Sequence, residues 1–320
     1  MSKSYDIFNG DADGICALHQ LRLDEPRASE LVTGVKRDIG LLARVAAESG
    51  DELTVLDVSM KTNSAALLSA LERGAHVRYF DHHIPGTIPA HPGLEAHIDT
   101  SADMCTSLIV DRHLQGRHRL WAVVAAFGDN LVTSAVAAAQ PLGLDHTELA
   151  RLHELGECLN YNAYGESVED LHYPPADLYR SISRYGDPRQ FIFDEPVFNV
   201  LRSAYAEDLF RIAEIQPYRE SDSAATLILP EAAWSRRING IFANRLAQEN
   251  PKRAHAVLVS GPDGFVVSVR APLARPAGAG ALCGQFETGG GREAAGGING
   301  LPQADLDRFV DAFEAAYGED

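Results

Sequence analysis

The chain has 320 residues, 28 Lys and Arg against 45 Asp and Glu, a net charge of −17 and 45% hydrophobic residues. That length favours two domains over one core. No apolar run approaches the roughly 18 residues of a helical membrane span, and so acidic a chain is a poor coat for long nucleic acid, which needs clustered Lys and Arg.

The charge is uneven. Residues 1–220 carry 33 acids against 19 bases, whereas residues 221–300 carry 6 against 8. An acidic body suited to cations is thus followed by a mildly basic segment suited to an anion. The opening "MSKSYDIF" lacks the apolar stretch of a signal peptide, so the expected compartment is cytoplasmic. Cys16, Cys105, Cys158 and Cys283 lie far apart with no C-x-x-C spacing and read as reduced packing residues.

Up to about residue 100, short apolar runs ("YDIF", "LVTGV", "LTVLDVS", "AHVRYFD") alternate with helical stretches ("GICALHQLRL", "IGLLARVAAES", "NSAALLSALERG"). This alternation predicts an α/β fold with a mostly parallel sheet and helices on both faces. Consecutive helices follow at "SLIVDRHL", "LWAVVAAFGDN" and "TELARLHELGECL", closing a first domain at 1–160. Residues 161–220, rich in Tyr, Pro and charge, read as a helical connector. A smaller α/β domain at 221–320 begins with the strand "AATLILP", the helix "SRRINGIFANRLAQE" and a hairpin turning at "GPDG".

The chemistry-bearing residues stand at strand and helix ends. Strand one ends in "FNGDADG", strand three in "LDVS", strand four in "FDHH", and a later helix in "FGDN". Ligands of parallel sheets sit at the carboxyl ends of the strands, so Asp11, Asp13, Asp57, Asp81, His82, His83 and Asp129 are expected on one rim. Such carboxylates repel one another unless cations neutralise them. Oxygen-rich ligation with imidazole suits Mn²⁺ or Mg²⁺ better than Zn²⁺, and two such ions can drive phosphoester hydrolysis. His19, His97, His113 and His153 lack carboxylate neighbours in pattern and are expected as surface or packing residues.

On "DAD" at Asp11 to Asp13, the strand-end Asp57, "DHH" at Asp81 to His83, "GDN" with Asp129, and "GGGREAAGG" from Gly289 to Gly297, the sequence resembles the DHH phosphoesterases with a C-terminal DHHA1 domain. The resemblance implies a metal-dependent hydrolase with two divalent cations, Mn²⁺ first and Mg²⁺ accepted by the same ligands. Asp57 would bridge the metals, with Asp11, Asp13, His82 and Asp129 completing the set. His83 would face the scissile phosphate and Asp81 would orient a histidine. The pattern departs from the family in one place. Members that cleave very short RNA or cyclic dinucleotides usually carry a histidine where this chain has Ile7, and the RecJ-like exonucleases an acid where it has Asn9. Asn9 is therefore expected either as an uncharged metal ligand or on substrate.

In the smaller domain, Gly289, Gly290 and Gly291 would let backbone N–H groups approach a phosphate, with Arg292 adding a charged fork. "VSVR" resembles a DHHA1 strand whose Ser268 and Arg270 face substrate. The expected activity is hydrolysis of phosphoester bonds in short oligonucleotides or small nucleotides. The alternatives are a RecJ-like single-strand exonuclease and a catalytically silent nucleotide-binding regulator. The expected partner is the substrate alone, with no membrane and no stable complex with long nucleic acid; a homodimer is left open.

Overall fold

The computed structural model describes residues 2–318. The chain parts into two compact units between Tyr205 and Ala206. The first unit is built on β1 (Ser4–Phe8), α1 (Ala12–Asp24), β2 (Glu30–Val32), β3 (Glu52–Leu56), α2 (Ser64–Glu72), β4 (His76–Asp81) and β5 (Leu94–Ile98). Its strands form one wholly parallel sheet in the order β2-β1-β3-β4-β5. Order reverses between β1 and β3, which makes the carboxyl end of that pair the place where a ligand crevice opens.

Side-chain alternation assigns the two faces. Ile7, Val55 and Tyr79 point to a core with Leu67 and Leu71 of α2, while their neighbours Phe8, Leu56 and Phe80 point to a core with α1 and the helices that follow. These helices are α3 (Thr106–His113), α4 (Arg119–Gly128), α5 (Val132–Ala139) and α6 (His146–Tyr161). Asp145 opens α6 with a reciprocal capping box to Glu148. The stretch read as a connector is helical, as α7 (Pro175–Ile182), α8 (Pro188–Asp194) and α9 (Pro196–Ile212). Its portion up to Tyr205 lies within the first unit. Leu178, Ile182, Phe191 and Leu201 are buried in the same core as Trp121. All four cysteines are unpaired and buried.

Two local expectations give way. "IGLLARVAAES" is not an α-helix but a 3₁₀ turn at Leu41–Arg44. The side chain of Asn63 accepts from Leu42 N–H at 3.2 Å and donates to Ile39 C=O at 2.7 Å, so backbone groups that a helix would pair internally are satisfied across the fold. The sheet also gains β5, whose "LEAHI" alternates too weakly to stand out as a strand.

The second unit has its own six-stranded sheet. It runs through β6 (Pro217–Glu220), β7 (Ala224–Leu229), α10 (Ala233–Glu249), β8 (Ala254–Gly261), β9 (Gly264–Arg270), α11 (Ala279–Cys283), β10 (Gly289–Gly291), β11 (Ala295–Pro302) and α12 (Leu306–Tyr317). The strand order is β10-β11-β9-β8-β7-β6, with β7 and β8 parallel and the other pairs antiparallel. The hairpin expected at "GPDG" is β8 and β9, joined across Pro262 and Asp263.

Candidate metal centre

Register places the first unit's acids. Asn9 N–H donates to Leu56 C=O at 3.2 Å and Asp57 N–H to Phe80 C=O at 3.1 Å, so the residues just past β1, β3 and β4 come out level on one rim. Asp11 caps α1, its Oδ1 accepting from the N–H groups of Asp13 and Gly14 at 3.0 Å each. Asp13 spans to the start of α3, where it accepts from Thr106 N–H and Ser107 N–H at 2.7 Å each. Asp57 sits at φ 56°, a left-handed conformation that costs energy for a residue with a Cβ and that turns its carboxylate into the cluster. Thr106 Oγ1 donates to it at 3.2 Å. After α4, Asn130 at φ 61° ends the helix and leaves Asp129 at its cap.

The two histidines differ in how they are held. His82 Nδ1 lies 3.0 Å from Met104 C=O, which fixes its proton there. Its Nε2 then faces the acids, 3.4 Å from Asp57 and 4.0 Å from Asp129. That is how a metal-ligating imidazole is oriented. His83 Nδ1 instead donates to Asp81 at 2.7 Å, and this hydrogen bond raises the His83 pKa against the opposing effect of burial. Asp81 is fully buried, and its Oδ2 has no hydrogen-bond partner among the described residues.

Asp11, Asp13 and Asp57 are each no more than 3% exposed. Burial, then the charges of Asp11, Asp13, Asp129 and Asp81, pushes Asp57 well above the usual carboxylate range. Burial likewise pushes Asp129 up to about 6, with Lys36 pulling down against Asp13 and Asp11. The cluster is short of positive charge. Oxygen donors and one free imidazole nitrogen fit Mn²⁺ or Mg²⁺, and the orphaned Asp81 oxygen fits the same deficit. The ligand atoms of Asp13, His82 and Asp129 lie within 4.8 Å of one another, as do those of Asp57, His82 and His83.

No protein-family model matches the chain, and no curated protein matches it. Solved structures do match, over 98% of its length. One is a DHH-domain protein described as a member of the s1p family of ribosomal proteins, 12% identical over 86% of that chain with a TM-score of 0.62. Another is exonuclease RecJ bound to manganese, 17% identical over 89% of that chain with a TM-score of 0.54. A third is the pGpG-specific phosphodiesterase PggH from Vibrio cholerae, 15% identical over all of that chain with a TM-score of 0.55. The chain has the DHH-domain fold.

Within this DHH fold the expected rim residues do come together, and one neighbour went unforeseen. Lys36, on the loop after β2, places Nζ 2.6 Å from Asp11 Oδ2, 3.4 Å from Asp129 Oδ1 and 3.2 Å from Asn160 Oδ1. Burial works against the ammonium, but Asp11, Tyr164 and Asp129 outweigh it and hold its pKa well above the usual lysine range. In return Lys36 outweighs burial at Asp11 and holds that carboxyl below its usual value. Asn9 turns its amide to the same loop, donating to Lys36 C=O at 3.1 Å and accepting from Asp11 N–H at 3.3 Å. The other histidines stay outside the rim. His97, expected to lack a carboxylate neighbour, meets Glu95 at 2.6 Å and stacks on Phe80 with ring centroids 4.4 Å apart.

The second unit's candidates lie on or just after β9 and β10, the strands that flank β11, and Gly290 shares the face of Ser268 and Arg270. Ser268 pairs with Gly297 and Arg270 with Ala295 across β9 and β11. Arg270 Nε donates to Asn244 Oδ1 at 2.6 Å. Gly289 to Gly291 are not a free loop but form β10, paired with Gly296 to Ile298. A Cβ on Gly289 would stand 1.9 Å from Cys283 C=O, so packing alone demands that glycine, whereas a Cβ on Gly290 would meet nothing within 4 Å. Arg292 follows β10, its N–H donating to Ala295 C=O at 2.8 Å.

Proposed function

We propose that this protein is a divalent-cation-dependent hydrolase of phosphoester bonds in short oligonucleotides or small nucleotides. The observation that carries the reading is the rim itself. Five carboxylates converge there, two of them forced above their normal pKa, beside an imidazole whose Nδ1 is committed to Met104 C=O and whose Nε2 faces them. Likeness in fold to structures described as a manganese-bound exonuclease and a pGpG-specific phosphodiesterase supports it.

Asp13, Asp57, His82 and Asp129 would hold the cation, Mn²⁺ first and Mg²⁺ second. When bound, it supplies positive charge to a phosphoryl oxygen and lowers the pKa of water. Asp57 is aimed by Thr106, and His82 by Met104 C=O. His83 keeps its Nδ1 proton on Asp81, so in its imidazolium form it would give the Nε2 proton to the leaving oxygen as the P–O bond breaks. The proton released by the water that adds to phosphorus would pass to solvent and restore the imidazolium. The Asp81 partnership, by raising the His83 pKa, enlarges the protonated fraction near neutrality. In the second unit, Arg270, Ser268, Arg292 and the backbone at Gly290 would bind a phosphate or base of the substrate.

A RecJ-like exonuclease is the alternative reading, favoured by the same fold likeness and opposed by the net charge of −17, which repels a long polyanion. A panel of dinucleotides, longer single strands, cyclic dinucleotides and bisphosphorylated nucleosides, each with Mn²⁺, tests the choice. Turnover per end is expected to peak at about two to five nucleotides, a length set by one basic recognition segment. Efficiency that climbs steadily with length and collapses with salt would establish the exonuclease instead.

A further inference from the structure

The rim has a corner where a cation already sits, and it belongs to the chain. Lys36 Nζ lies between Asp11 and Asp129, which are brought together from the start of α1 and the end of α4. Its backbone is fixed on both sides: Lys36 N–H donates to Ala163 C=O at 2.9 Å, and its own C=O accepts from Asn9. Asn160 accepts from Nζ and in turn donates through Nδ2 to the hydroxyl of Tyr164 at 3.2 Å. Tyr164 also presents its ring 5.8 Å from the ammonium. A surface lysine acquires no such cage by chance, because each polar partner must be ordered to make it.

What this cage uses up matters as much as what it holds. Asp11 and Asp13 both have their two oxygens engaged, but Asp13 only by the backbone N–H groups of Thr106 and Ser107, whereas Asp11 Oδ2 is taken by the ammonium of Lys36. Asn9, at the position where the resemblance implies an acid in RecJ-like exonucleases, spends its oxygen on Asp11 N–H and its nitrogen on Lys36 C=O. Among the described residues, neither group of rim carboxylates and imidazoles close enough to share an ion includes Asp11. An asparagine at position 9 adds no negative charge to this corner, and the ammonium supplies the positive charge that Asp11 and Asp129 need.

We infer that Lys36 permanently occupies one of the two cation positions of the rim, so that the protein binds a single divalent ion, on the Asp13, Asp57, His82 and Asp129 side. This rests on the metal-dependent reading above for the remaining ion. The ammonium is a positive charge that chelation cannot remove, its three donors committed to Asp11, Asp129 and Asn160.

The test is the stoichiometry and spin state of bound Mn²⁺ in the full chain, by metal analysis and by electron paramagnetic resonance at saturating Mn²⁺. Wild type is expected to bind one ion per chain with the signal of an isolated Mn²⁺. Lys36→Met, which keeps the stem and removes the charge, is expected to bind two with an exchange-coupled signal, and Lys36→Arg one. Two coupled ions in wild type would overturn the inference without any variant. One ion in a folded Lys36→Met protein, checked by circular dichroism, would overturn it as well. Hydrolysis is scored separately: one ion and no phosphodiester turnover would defeat the functional reading alone, and turnover with two ions would defeat this inference alone.

Discussion

The rim of the parallel sheet and the glycine ribbon of the smaller unit are equally suggestive as motifs, yet they stand on different physical ground. At the rim, packing cannot account for the residues. Asp11, Asp13, Asp57 and Asp81 are buried at the cost of mutual repulsion, and Asp57 takes a left-handed backbone to join them. At the ribbon, packing accounts for much of the pattern. Gly289 is required because Cys283 C=O stands where its side chain would be, and Gly296 because a Cβ would lie 2.6 Å from Ala279 C=O. Within β10, Gly290 alone lies open enough for its missing side chain to need another reason. A residue whose presence costs stability points to function more strongly than one whose presence the fold demands.

The comparison breaks most sharply at Asp57. Asp57→Ala is expected to lower kcat/KM by at least about 10³-fold while removing bound metal, the scale of losing an electrostatic centre of catalysis. Metal analysis alongside turnover checks both. Retained rate would mean the rim's strain serves something else.

His82 and His83 sharpen it next. His82→Ala should weaken Mn²⁺ binding, seen as a higher Kd by calorimetry. His83→Ala should bind Mn²⁺ normally and lose about 10²- to 10⁴-fold in kcat, as for a proton donor. Equal metal loss in both would merge their roles.

In the ribbon, Gly289→Ala is expected to destabilise the fold by about 1–3 kcal/mol through overpacking, read from denaturant unfolding. Gly290→Ala should leave stability within about 0.5 kcal/mol and raise KM, as should Arg270→Ala and Arg292→Ala, with a small chromogenic phosphodiester hydrolysed as before. An unchanged KM for all three would make the ribbon purely structural.

The smallest effect is a pH dependence confined to metal-free protein. Asp57 and Asp129 have raised pKa values, so their contribution to stability is complete below the unfolded value near 4 and, for Asp129, is lost as pH rises through about 6. Asp11, lowered by Lys36, acts in the opposite sense below that window. Chelated protein should therefore melt lower at pH 7 than at pH 5, and Mn²⁺ should erase the difference. A flat profile without metal would mean the rim carboxylates are already compensated.

How much of this is legible in the sequence follows from distance along the chain. Asp11, Asp57, Asp81, His82 and Asp129 each stand at the end of a regular element, and a parallel sheet brings strand ends to one edge, so their grouping is readable from the order of the elements alone. The pairing of His82 with Met104 C=O spans 22 residues and the bond from Lys36 to Asn160 spans 124, and no local period announces either. Lys36 stands inside "TGVKRD" as one base among many, and "NYNAYG", which supplies Asn160 and Tyr164, is too short to carry a signal. The 3₁₀ turn at Leu41–Arg44 is hidden for a like reason, since Asn63 satisfies its backbone from 21 residues away. The ribbon misleads in the other direction, because glycines that serve close packing and glycines that serve phosphate binding are the same letters.

The central claim, that the rim is built to hydrolyse phosphoesters with a divalent cation, is tested most directly by stripping the protein of metal and following a 5′-phosphorylated dinucleotide before and after Mn²⁺ is restored. The account predicts no turnover in the stripped protein, full recovery with Mn²⁺, and none in Asp57→Ala under either condition. Cleavage that survives chelation, or a dinucleotide left intact by the Mn²⁺-loaded wild type together with every other phosphoester of the panel, would contradict it.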